Sequence, residues 1–180
     1  MSIFDWLSGA KVEMERSAGG DSEAVRDIVS RLEAESEDRA YWIAAFSMVL
    51  SRAARADLEI SSEELGKMKE IVREFGELPE ETASLVVEMA AQHNQLLGVT
   101  EEYLATREFR RLAQDGDRER LLHCLFAVCA ADDSISVVEE EEVRQVAKEL
   151  GLEHGQYTAA RSAFREKREV LRGLQSRKPE

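Results

Sequence analysis

Two prolines and ten glycines in 180 residues leave this chain with few breakers, which favours long helices over short strands joined by turns. Its two cysteines, Cys124 and Cys129, lie five apart. That is neither CxxC spacing nor a separation that neighbours on one helix could bridge, so they read as buried free thiols in a reducing compartment. The three histidines, His93, His123 and His154, have no paired spacing. HExxH, glycine-rich phosphate loops and the GxSxG elbow do not occur. His123 adjoins Cys124, but successive residues on a helix point about 100° apart, which serves a Cys–His catalytic couple poorly. No apolar run approaches the ~18 residues needed to cross a bilayer, and the N-terminus lacks a basic start followed by an extended apolar core. These absences predict a cytoplasmic protein that is not an enzyme.

What is abundant is acid. Lys and Arg total 24 against 37 Asp and Glu, a formal charge of −13, so a phosphate polyanion would be repelled and nucleic acid is not an expected partner. Cations and basic protein surfaces suit the surface better. The C-terminal stretch has the opposite sign, with Arg161, Arg165, Lys167, Arg168, Arg172, Arg177 and Lys178, and is expected to pair with the acidic body. A hydrophobic content of 43% over this length supports one compact core without disulfides or metal staples. The expected layout is an apolar hook (Ile3, Phe4, Trp6, Leu7) and linker over 1–20, a helical domain over 21–172, and a basic tail over 173–180. The hook is expected to fold back on the domain; with so little apolar surface, membrane association would need a partner.

Helical spacing of Val25, Ile28, Val29 and Leu32 predicts a first amphipathic helix. A second, from Asp38 through Leu50, is apolar nearly all round, as a central helix should be. Further helices are expected over Ser62 to Phe75, Glu80 to Leu97, Glu101 to Gln114, Val137 to Leu150 and Gln156 to about Leu171. With no sustained period-two alternation, the fold class is all-α, a bundle of seven or eight helices. The sequence also repeats itself. Ala56-Asp57-Leu58-Glu59-Ile60-Ser61-Ser62-Glu63-Glu64 returns as Ala131-Asp132-Asp133-Ser134-Ile135-Ser136-Val137-Val138-Glu139, an offset of 75 (57 to 132). Leu50 and Leu125, Glu74 and Glu149, and Gly76 and Gly151 match at the same offset, so a helix-loop-helix unit occurs twice. Leu121 to Ala130 is then the apolar counterpart of the second helix, and both glycines are expected to be left-handed helix caps.

Each loop supports two readings. Ser61 with Glu64, and Ser136 with Glu139, have capping-box spacing, while Ile60 and Ile135 suit a hydrophobic staple. Asp57 and Asp132 can close the turns onto backbone amides. On that reading no ligand is needed. The other starts from carboxylate density: Asp57, Glu59, Glu63 and Glu64 at the first loop, and Asp132, Asp133 and Glu139 to Glu142 at the second. Ca²⁺ and Mg²⁺ want such oxygens, although Ca²⁺ takes about 6–8 and one loop offers too few alone. An EF-hand is excluded, because the twelfth positions from Asp57 and Asp132 are Met68 and Val143 where a bidentate Glu would be required.

The doubled Ala-Asp-x-x-Ile-Ser-x-x-Glu, each copy between a buried and an amphipathic helix, resembles the tellurite-resistance TerB family over roughly Trp42 to Leu152. The opening Met1-Ser2-Ile3-Phe4-Asp5-Trp6-Leu7 is also similar to that family. The resemblance implies an all-helical, internally duplicated domain associated with tellurite and stress resistance. It implies acidic clusters that bind a divalent cation such as Ca²⁺, and a protein partner of the TerC-like membrane type. Carried over residue by residue, the acidic positions of the family pattern are Asp57, Glu64, Asp132 and Glu139, and Asp133 adds a possible ligand of its own. The family has Gly after each Asp, whereas Leu58 and Asp133 stand here; a Cβ resists left-handed geometry, which weakens the first loop more than the second. The alternative function is a helical protein-interaction module whose acidic loops are only caps.

Overall fold

The structure is a computed structural model, and it describes residues 27–28, 30–53, 62–93, 99–114, 116–131 and 135–164. After helical residues 30–33 come α1 (Glu37–Ala53), α2 (Ser62–Phe75), α3 (Glu80–His93), α4 (Val99–Leu112), α5 (Asp117–Cys129), α6 (Val137–Glu149) and α7 (His154–Ala163). The fold is an all-α bundle, and no strand occurs among the described residues. Helix starts at 62 and 137 keep the offset of 75, and those at 80 and 154 keep it to within one residue. The N-terminal hook, the 173–180 tail and the stretches expected to extend α3 to Leu97 and α7 to Leu171 lie outside the described residues.

The two apolar helices form the centre, for the reason their composition gives: a helix without a polar face must be covered on every side. α1 packs against α3, α4, α5 and α6, and α5 against α1, α2, α6 and α7. Each carries an aromatic cluster. Around α1, Trp42, Phe46 and Phe109 of α4 meet at centroid distances of 5.1–5.6 Å. Around α5, Phe126 meets Tyr157 of α7 at 5.7 Å and Phe164 at 5.9 Å, and Phe164 reaches Phe75 of α2 at 5.7 Å. Each such ring contributes roughly 1.5–3 kcal/mol by leaving water. Ser47 and Ser51, buried in α1, bond their own helix at the Ile43 and Met48 carbonyls, 2.7 and 2.8 Å away, so neither hydroxyl is orphaned.

Between α4 and α5 the chain turns at Gly116 (φ 85), the residue before α5. Asp117 closes this turn by accepting from the Gln114 amide (2.9 Å), and it also accepts from Trp42 Nε1 (3.1 Å).

The paired glycines part company. Gly151 has φ 72 and completes a Schellman cap on α6: its N–H donates to the Lys148 carbonyl and that of Leu152 to the Ala147 carbonyl, both at 3.0 Å. Gly76, expected to do the same, does not. Its repeat partner helix is one residue shorter, so on α2 the left-handed position passes to Glu77 at φ 52. Gly76 answers to close approach instead, since a Cβ there would lie 2.4 Å from the Val72 carbonyl oxygen and 3.4 Å from Cys124 Sγ.

Candidate functional site

The two central helices, α1 and α5, end beside each other. Cys129 Sγ lies 4.0 Å from the Ala53 carbonyl oxygen, so the last turns of the two central helices touch. Residues 54–60 leave the first of these ends and residues 132–134 the second. A helix C-terminus carries roughly half a negative charge, and here two of them meet. α1 has Arg52 in its last turn; α5 has no basic residue there.

Of the five candidate metal positions, Asp57, Asp132 and Asp133 lie outside the described residues. Glu64 is half-buried in the first turn of α2. Glu139 closes the capping box expected at the head of α6: its Oε2 accepts the Ser136 N–H at 2.7 Å, and its own N–H donates to Ser136 Oγ at 3.2 Å. Ile135, just before the cap, packs on the core. α2 begins at Ser62, as the first box requires, but Ser61 lies outside the described residues.

The run Glu139 to Glu142 is fully engaged within the protein. Glu140 is buried and accepts from Arg161 Nη2 at 2.7 Å, which fits the expectation that the basic end pairs with the acidic body, at least for Arg161. Glu141 faces Arg144 at 3.5 Å. Glu142 takes Arg52 Nε at 2.6 Å. Arg144 also comes within 3.7 Å of Glu140, so each of the four consecutive carboxylates has a partner inside the protein.

Arg52 is the residue that sequence reasoning missed. Its side chain is only 6% exposed, and besides Glu142 it donates from Nη1 to Glu149 Oε2 at 2.6 Å and to Thr106 Oγ1 at 2.9 Å. Burial would lower the guanidinium pKa, but the bonds to Glu149 and Glu142 outweigh it and hold the pKa above the ordinary value. Burial would likewise raise Glu149, yet its bonds with Arg52 and Gln145 keep this carboxyl below the usual range. The available signal was a charged residue inside an otherwise apolar helix, since a buried charge must have partners.

The donor chemistry around these ends is all oxygen. Burial, with the Glu139 and Glu142 charges adding, pushes the Cys129 thiol up to about 12, so it offers no thiolate to a soft metal at neutral pH. Among the described residues no three Asp, Glu, His or Cys side chains assemble into a metal-holding group. A cation site at these loops would draw on carboxylates outside the described residues, Asp57, Glu59, Asp132 and Asp133, and its chemistry would be that of a hard cation.

Against known proteins, the model of the tellurite resistance protein TerB family matches residues 43–162. The chain belongs to the TerB family. The matched span runs from within α1 into α7 and contains both acidic loops, so the family region coincides with the bundle core and its candidate site. No curated protein and no solved structure matches the chain. Among the described residues no helix is long and apolar enough to cross a membrane.

Proposed function

We propose that this TerB-family chain is a non-enzymatic cytoplasmic protein of the tellurite and stress response that binds a divalent cation, Ca²⁺ foremost, through its two acidic loops. Asp57, Asp132 and Asp133 are the ligands that decide binding, with Glu139 and Glu64 beside them. The observation that carries this reading is the meeting of the α1 and α5 C-termini at Cys129 and Ala53, which starts both acidic loops from one negatively polarised place. Calcium's need for about 6–8 oxygens is then met by two loops and water rather than by one loop. A protein partner, of the TerC-like membrane type that the family association suggests, would read the bound state.

The second reading, a helical interaction module, draws on Val137 and Val138, which are 75% and 80% exposed in the first turn of α6. The two separate on thermal unfolding of metal-stripped protein with and without Ca²⁺, Mg²⁺, Mn²⁺ and Zn²⁺, repeated on the Asp57→Asn, Asp132→Asn double variant. Cation at a hundred times its Kd adds about 2.7 kcal/mol, which for a domain of this size raises Tm by roughly 5–11 °C. The double variant loses that rise. Absence of a shift with any cation would leave the interaction module standing.

A further inference from the structure

We infer that residues 27–28 and 30–33 are a strap lying on a helix seat at α3, and that the seat, when the strap lifts, takes an amphipathic helix of a protein partner that carries an arginine or lysine. The strap itself shows what the seat accepts. Ile28 and Leu32, one helical turn apart, are 5% and 2% exposed and join the hydrophobic core. Between them Arg31 reaches α3 twice: Nη1 donates to Glu88 Oε2 at 2.6 Å, and Nη2 to the Glu81 carbonyl at 3.2 Å. Glu88 is held in place for this contact, because Ser84 Oγ donates to its other oxygen at 2.6 Å and Lys69 Nζ of α2 does so at 3.3 Å. Burial alone would raise the Glu88 carboxyl, but the bonds from Ser84 and Arg31 hold it below the usual carboxylate range, so it is charged at neutral pH. An apolar pair four apart with a basic residue beside it is the pattern by which an amphipathic helix anchors in a groove.

The strap is attached lightly. Asp27, Ser30 and Glu33 are exposed, and so are Ala34, Glu35 and Ser36, which join it to α1. Arg31 and Glu88 are each about one-third open to water, so salt screens their pair and it holds the strap only weakly. The family match begins at residue 43, which leaves the strap outside the region that defines the bundle. A short segment with few buried contacts opens locally far more often than the whole protein unfolds. When this one lifts, it uncovers an apolar surface together with the Glu88 carboxylate. On a chain of net charge −13, that combination selects a helix with a cation among its apolar anchors.

Two measurements on the full chain test the inference. In wild type, amide exchange at residues 30–33 should run at least about a hundredfold faster than at Leu121 to Leu125 of α5, and Arg31→Gln should speed it severalfold further without changing α5. Exchange at 30–33 as slow as in α5 overturns the inference, because the strap would then lift only when the protein unfolds. The second measurement uses Ile28→Ser, Leu32→Ser, which lifts the strap and leaves the seat intact, with far-UV circular dichroism as the check on folding. Leu32→Ala, a milder opening, serves if the double variant loses helix. A fluorescent peptide of residues 21–36 should bind the opened chain, and bind wild type at least about tenfold more weakly because its seat is occupied. Adding Glu88→Gln to the opened chain, or Arg31→Gln to the peptide, should remove most of that binding. A peptide that binds the opened chain and wild type equally, or binds neither, overturns the inference. Binding indifferent to Glu88 and Arg31 overturns it too, since bare apolar surface would then be the whole attraction.

Discussion

Replacing Arg52 by Met keeps an unbranched apolar stem and removes the guanidinium, which takes the cation and its hydrogen bonds out of the buried network. The cost is set mainly by Glu149, only 9% exposed and deprived of its guanidinium, since Glu142 at 37% exposed can turn to water. Breaking a buried pair from one side costs about 3–5 kcal/mol, a fall in Tm of roughly 6–20 °C at this chain length. The pH dependence has a definite sign. In wild type Glu149 is held below its ordinary pKa, so its contribution is complete above the unfolded-state value near 4.5 and is lost as pH falls through the lowered folded value. In Arg52→Met the same carboxyl, desolvated and unpaired with a cation, moves upward and is penalised most when ionised. The gap between the proteins should therefore be widest at pH 7 and should narrow below pH ~4. Urea unfolding at the two pH values measures it. A second variant, Arg52→Met, Glu142→Gln, Glu149→Leu, should regain most of the loss, because it leaves no buried charge behind. A single-variant loss under about 1 kcal/mol at pH 7, or an equal gap at both pH values, would refute the reasoning.

Other outcomes follow from local geometry. Glu77→Gly removes the strain of a left-handed non-glycine residue and should stabilise the protein by up to about 1 kcal/mol, visible as a higher urea midpoint. Gly151→Ala should cost about 1–2 kcal/mol for the same reason in reverse, and Arg110 would have to move aside. Ser136→Ala removes the oxygen that caps α6 and should cost about 1 kcal/mol in metal-free protein. Cys124 and Cys129, both buried and pushed up to about 12, should resist a thiol reagent at pH 8 until guanidinium exposes both; rapid labelling of the native protein would contradict their placement.

The helices were legible because their signals are local. Amphipathic spacing located α2 and α6, continuous apolarity located α1, the repeat located α5, and the Ser136–Glu139 spacing located a cap that is present in the structure. The failures were those of sequence alignment standing in for geometry. Gly76 aligns with Gly151, yet α2 runs one residue further before it ends, and the two glycines do different work. Arg52 was legible only as a charge in the last turn of an apolar helix: its partners, Glu142 and Glu149, lie 90 and 97 residues away, and nothing local marks those contacts. The convergence of α1 and α5 at Ala53 and Cys129 is likewise tertiary, because the contact joins residues 76 apart in the chain.

Carboxylate density along a helix is not ligand density. Successive residues turn by about 100°, so Glu139 to Glu142 cannot face one ion together, and in the structure each meets a different neighbour: the Ser136 amide, Arg161, Arg144 and Arg52. A loop has no such constraint, because its backbone can bring adjacent carboxylates and carbonyls to one point. The weight of a cation site therefore moves from the glutamate run to Asp57, Asp132 and Asp133. On this argument Glu141→Gln, at an exposed position paired with Arg144 at 3.5 Å, should leave Ca²⁺ affinity unchanged, while Asp132→Asn and Asp133→Asn should each lower it. Isothermal titration with the three single variants decides between them. A loss in Glu141→Gln as large as in the aspartate variants would mean that diffuse acidity, rather than a coordinated site, holds the cation.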